Sequence, residues 1–111
     1  LFRSHKIFDL GGQDSPFMLR AVPVRSEWLE RIPAVVHVDG SARVQTLAPG
    51  VNEPLRELLS IFFRKTGVPV LLNTSLNTAG EPIVNTVEEA FSIFDRTEID
   101  VLVLDEMVFE K

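Results

Sequence analysis

With 111 residues, 45% hydrophobic and 24% charged, the chain has the size and balance of one globular domain with a single core, which excludes an intrinsically disordered segment. A formal charge of -5 and a pI of about 4.9 argue against duplex nucleic acid or an anionic membrane surface as partner, since both demand clustered positive charge. The absence of cysteine excludes disulfides and thiolate chemistry, and the two histidines, His5 and His37, stand in no metal-ligand spacing, so no metal site is expected.

No signal peptide and no run of ~20 apolar residues is present, so the expected setting is soluble and cytoplasmic. Leu1 is not an initiator methionine, and the expectation is a fragment whose site is completed by residues elsewhere. Residues 1–14 read as a linker-like or docked segment and 15–111 as the domain proper.

In chain order, Gly11-Gly12-Gln13-Asp14-Ser15-Pro16 is built to turn, and Phe17 to Val24 has the apolar content of a strand in which Pro23 favours an edge or an end. Ser26 to Arg31 reads as one helical turn with Ser26 as N-cap, stopped by Pro33. Ala34–Val38 and Ala42–Leu47 flank Asp39-Gly40-Ser41, which predicts a β-hairpin. Alternation in its second arm puts Arg43, Gln45 and Leu47 on one face and Ala42, Val44 and Thr46 on the other.

Asn52 as N-cap, Pro54 in the first turn, an apolar stripe of Leu55, Leu58, Leu59, Phe62 and Phe63, and Gly67 as stop predict a helix. Val68 to Leu72 reads as a strand entering a core. Thr86-Val87-Glu88-Glu89 fits a capping box opening a second helix to about Arg96, with Ala90, Phe91, Ile93 and Phe94 as its buried face. Asp100 to Leu104 reads as a strand buried on both faces, and Met107 to Phe109 as a final edge strand. The order implies an α/β domain, with α+β as the alternative, whose sheet is partly parallel. No internal repeat is present.

The polar loop Asn73 to Pro82 follows the Val68–Leu72 run, a place where open α/β sheets bind ligands. Ser75 can donate its hydroxyl to a phosphate or carbonyl oxygen, and Asn73 and Asn77 offer donor and acceptor groups to a planar ligand. The plainer reading, that these residues close turns around Gly80, stands beside it. Glu81 reads as a loop anchor rather than an acid or base. On the other candidate segment Arg43 can clamp a phosphate, against the alternative of a surface ion pair with Asp39. For His37 the structural reading is a hydrogen-bonded strand residue. Phe62, Phe63, Phe91 and Phe94 are core by spacing.

Three ordered stretches carry a resemblance: Ser15-Pro16-Phe17-Met18, Ile32 to Thr46 with its His37-Val38-Asp39-Gly40-Ser41-Ala42-Arg43 segment, and Thr66 to Val84 with Asn73-Thr74-Ser75-Leu76-Asn77. Together with Thr97 to Leu104 they resemble the C-terminal domain of the nodulation-type O-carbamoyltransferases. The resemblance implies a YrdC-like domain, a twisted mixed sheet with helices packed on it, that joins carbamoyl phosphate and ATP into carbamoyl adenylate. It also implies an N-terminal domain of the ASKHA type, holding a metal, that transfers the carbamoyl group to a substrate hydroxyl. By motif, Arg43 and Ser75 would be the catalytic pair, with Asn73, Thr74, Asn77 and His37 joining them in binding substrate and nucleotide.

The chain departs from the family pattern where Leu76 replaces a common Phe and Ser41 a common Thr, and the family's E-F-G-P-R-A-L-G-like and R-E-x-x-R-P-F-A-P-like segments are not in it. The isolated chain is therefore expected to be inert. Two rival readings stay open: a non-catalytic assembly module, and a relative making threonylcarbamoyl adenylate for tRNA modification. The hydroxyl acceptor is not encoded here, and a homodimer is left open.

Overall fold

The computed structural model describes residues 4–111, which fall into two compact units that divide after Leu72. The first unit contains β1 (Ala21–Pro23), β2 (Ser41–Arg43) and helix α1 (Glu53–Thr66). The second contains helix α2 (Val87–Arg96), β3 (Val101–Leu104) and β4 (Met107–Glu110). Both ladders are antiparallel and two-stranded, so the mixed composition takes its α+β form. The partly parallel sheet expected from helical crossovers is not formed among the described residues.

In the first unit β1 pairs with β2, Val22 opposite Ala42, and the inward residues Val22, Ala42 and Val44 join Ile7, Phe8, Leu10, Val24 and Ile32 in a buried cluster. The early segment is thus packed inside: Phe8 bridges Val24, and Asp9 N–H donates to the Pro23 carbonyl at 2.9 Å. The expected strand from Phe17 shortens because Met18 adopts a left-handed φ of 54°, which ends extended backbone and leaves Phe17 and Leu19 exposed. Ser26 does not cap its turn. It is the first residue of a short 3₁₀ helix, Ser26–Trp28, entered from extended Arg25, and its hydroxyl donates to the Glu27 carboxylate at 3.4 Å.

The hairpin expected around Gly40 is corrected. Its turn exists, but Pro33 begins a 3₁₀ helix, Pro33–Val35, and the strand that β2 joins is β1. Local turn chemistry fixed the reversal, and long-range pairing chose the partner. The inside-outside alternation expected from Ala42 to Thr46 is present, with Ala42, Val44 and Thr46 buried and Arg43 and Gln45 exposed.

Helix α1 has the expected ends. The Asn52 side chain accepts from Leu55 N–H at 3.2 Å, and Gly67, left-handed at φ 72°, gives its N–H to the Phe63 carbonyl at 2.8 Å. Its apolar stripe is only half-covered: none of its residues is buried, Phe62 and Phe63 included. Val68–Leu72 joins neither ladder. Thr66 Oγ1 takes the Val68 N–H at 3.1 Å and Pro69 has none to give, so the run cannot begin a strand's bonding, and Leu72 stays 63% exposed.

In the second unit the capping box forms as expected, with Glu89 N–H donating to Thr86 Oγ1 at 3.2 Å and Thr86 N–H to Glu89 Oε2 at 3.2 Å. Ala90 and Phe94 pack on Leu102, with Leu76, Val84, Phe91, Ile99, Leu104 and Phe109 around them. Phe91 and Phe109 meet edge to face at 4.7 Å. The β3 strand is covered on one face only, because it belongs to a hairpin with β4 and α2 lies over Leu102, so Val101 and Val103 are exposed. No helix among the described residues is long and apolar enough to cross a membrane.

Candidate functional site

The candidate residues are distributed over both units: His37 and Arg43 in the first, Asn73, Thr74, Ser75 and Asn77 in the second.

His37, Asp39, Ser41 and Arg43 are bound up with their own backbone. Gly40, at φ 79°, allows a turn in which Gly40 N–H donates to the His37 carbonyl at 2.9 Å and His37 N–H to the Ser41 carbonyl at 2.7 Å. The Asp39 carboxylate accepts Ser41 N–H at 2.9 Å, and His37 Nδ1 lies 3.1 Å from Ser41 Oγ. Hydrogen bonds from Ser41, with a smaller contribution from the nearby imidazole, hold the Asp39 carboxyl below its ordinary pKa.

Arg43 directs its fork at a carbonyl. Nε and Nη2 donate to Met18 O at 3.2 and 3.1 Å, so the guanidinium fixes the residue whose φ is left-handed. The expected ion pair with Asp39 is replaced by this clamp. On the same face Gln45 Nε2 donates to Pro16 O at 3.1 Å. Behind it, buried Ser15 donates Oγ to Val44 O at 2.7 Å and its N–H to Thr46 Oγ1 at 3.0 Å. Arg25 and Arg31 act similarly on the carbonyls of His5 and Gly67, at 3.0 and 3.3 Å. With so little ladder in this unit, arginine donors take over the task of satisfying irregular backbone.

The Asn73–Pro82 loop adds a set of side chain–side chain bonds to those its side chains make with the backbone. Leu76 and Val84 close its base, with Val84 N–H donating to the Leu76 carbonyl at 3.0 Å and both side chains packing on the α2–β3 cluster. Leu76 is thus the loop's apolar foot. At the far end Glu81 N–H donates to the Thr78 carbonyl at 3.1 Å across Gly80, whose φ of 82° suits the third position of a turn. Asn77 Nδ2 donates to the carbonyls of Thr78 and Glu81 at 3.3 and 3.2 Å, and its Oδ1 accepts from Ser75 Oγ.

Glu81 is the anchor expected of it. Its carboxylate accepts from Thr78 Oγ1 and from Arg96 Nη2 at the last turn of α2. Arg96 first and Thr78 second hold the Glu81 carboxyl below its ordinary pKa, while Glu81 raises that of Arg96. Sequence reasoning missed Arg96 and Thr78. The usable signal for Thr78 was a hydroxyl three residues before a carboxylate across a Gly turn; Arg96 lies too far along the chain to be singled out. Asn73 and Thr74 are exposed at the loop's start.

Residues 3–111 match the family model described as Carbamoyltransferase C-terminus. The nodulation protein NolNO of Sinorhizobium fredii is 43% identical over 99 residues, which cover 89% of this chain and 15% of that protein. NolO of Bradyrhizobium diazoefficiens is 38% identical over 91% of this chain and 18% of its own length. Nodulation protein U of Azorhizobium caulinodans is 41% identical over 79% of this chain and 16% of its own. The chain thus spans less than a fifth of each of these relatives, and it belongs to the carbamoyltransferase C-terminus family.

Proposed function

We propose that this chain is the C-terminal part of an O-carbamoyltransferase and contributes to forming carbamoyl adenylate from ATP and carbamoyl phosphate. An N-terminal domain of the ASKHA type, where the reaction's metal is expected, then transfers the carbamoyl group to a hydroxyl. The observation that carries this reading is the family match over residues 3–111, which includes both polar segments. Arg43 supplies positive charge to phosphate oxygens from the donors that Met18 does not use, and Ser75 with Asn73 lines the carbamoyl end. Thr74, Asn77 and His37 complete the binding set.

One observation favours a second reading, an assembly module: Arg43 and His37 are already engaged with the chain's own backbone and with Ser41. Calorimetric titration of ATP and carbamoyl phosphate into the full-length protein decides between them. The wild type should bind both, and Arg43→Ala should weaken ATP by about tenfold or more, the loss of one charged hydrogen-bonding group. Since Arg43 also clamps Met18, the melting temperature is followed in the same samples. Undiminished affinity in the variant would remove Arg43 from the site. Binding of neither ligand by the wild type would leave the module.

A further inference from the structure

The hydrogen-bond directions in the Asn73–Pro82 loop determine what Ser75 has left to offer. An asparagine amide has a donor side and an acceptor side. Nδ2 of Asn77 faces two carbonyl oxygens, those of Thr78 and Glu81, which fixes which side is which. Oδ1 therefore faces Ser75 as a pure acceptor, and the Ser75 proton goes to it. A hydroxyl whose only proton is spent presents lone pairs to anything else.

We infer that Ser75 is an acceptor for a ligand N–H, so that it recognises the amide of a carbamoyl group instead of donating to a phosphate oxygen. The inference rests on the proposal that Ser75 lines the carbamoyl adenylate pocket and deepens it, by assigning Ser75 to the group that separates a carbamoyl from an acyl compound. Asn77 and Arg96 are positioning residues in this scheme. Arg96, on the last turn of α2, holds the Glu81 carboxylate, which also takes the Thr78 hydroxyl; the Glu81 carbonyl then helps to set the plane of the Asn77 amide. The order of contacts runs Arg96, Glu81, Asn77, Ser75. Every step lies in one compact unit, so the arrangement is complete before a ligand arrives.

Acetyl phosphate, with a methyl in place of the amide, is the discriminating probe. In the full-length protein, carbamoyl phosphate should bind about tenfold or more tighter than acetyl phosphate, because a site built to meet an N–H rejects the analogue without one. Ser75→Ala should lose most of that ratio by weakening carbamoyl phosphate alone. Arg96→Gln should lose part of it and Arg96→Lys restore part, with the thermal unfolding midpoint of each variant reporting whether the fold is intact. Equal weakening of both phosphates by Ser75→Ala would overturn the inference in favour of a phosphate-facing hydroxyl. A full ratio in Arg96→Gln would overturn the positioning role. Failure of the wild type to bind either phosphate would overturn the underlying functional reading and this inference with it, whereas equal binding of both would overturn the inference alone.

Discussion

The turn from His37 to Arg43 and the loop from Asn73 to Pro82 carry much the same kinds of side chain, hydroxyls, a carboxylate, and an amide or imidazole, and they divide them differently between backbone and side-chain partners. In the turn, the Asp39 carboxylate and the Arg43 guanidinium bond to backbone groups, beside a ladder that is three residues long. In the loop the Ser75, Thr78 and Glu81 side chains bond to other side chains while Asn77 also holds two carbonyls, and a helix with three buried residues stands behind them. The difference teaches that polar content says little about a site until the backbone's demands have been met. What remains after those demands is a clamped arginine in one segment and an oriented hydroxyl in the other.

Removing the support under the loop should have the largest effect. Phe94 is buried in the cluster that holds Leu76 and Val84, and Phe94→Ala should cost about 3–5 kcal/mol, the usual range for emptying a buried aromatic site. Urea unfolding of the full-length protein measures the cost, and amide exchange should show Val84 N–H losing protection first. A cost no larger than that of a surface substitution would mean that the loop does not depend on this cluster.

The turn and the loop can next be compared at their glycines. Gly40 and Gly80 have nearly the same φ, 79° and 82°, and a Cβ at either meets nothing closer than 4.0 Å. Gly40→Ala and Gly80→Ala should therefore each destabilise by about 1–2 kcal/mol, the cost of a left-handed alanine, with no steric difference between them. A markedly larger loss at one position would show that its segment tolerates less backbone adjustment than its neighbours suggest.

Acid sharpens the comparison with the smallest effect. Asp39 and Glu81 both have folded pKa values below the ordinary carboxylate values. Their stabilisation is accordingly full above the ordinary range and is lost as pH falls through the depressed values. Order in both segments, followed by NMR of the Ser41 and Thr78 resonances, should decay as the solution is acidified. Because the Arg96 hydrogen bond comes first at Glu81 and Ser41 hydrogen bonds at Asp39, Arg96→Gln should shift the transition at Glu81 upward and leave that at Asp39 nearly unchanged. An equal response of the two transitions to Arg96→Gln would undo the distinction.

Much of this was legible in the sequence wherever the deciding contacts are local. The residues that end α1, Asn52 and Gly67, and the Thr86–Glu89 box that opens α2 bond within a few positions of themselves, so their residue types announce them. The Gly40 and Gly80 turns and the alternation from Ala42 to Thr46 were readable for the same reason, since the next few residues set both. The partner of β2 was not readable: the Asp-Gly turn points to Ala34–Val38, but Pro33 diverts that segment and β1 supplies the ladder from twenty residues upstream. Nor was the fate of Val68–Leu72, whose apolar character promised a strand while Thr66 and Pro69 withheld its first hydrogen bonds.

By itself, then, the sequence determined the helices, their ends, the two glycine turns and the motifs that place the chain in its family, because short-range hydrogen bonding and apolar spacing act between near neighbours. Only the tertiary structure decided which strands pair, that Arg43 clamps Met18, and which side chain backs the Glu81 end of the loop. Those outcomes depend on groups brought together from far along the chain, above all on Arg96 reaching Glu81 from the end of α2. A list of residue types contains the Glu81 carboxylate but not the guanidinium that reaches it.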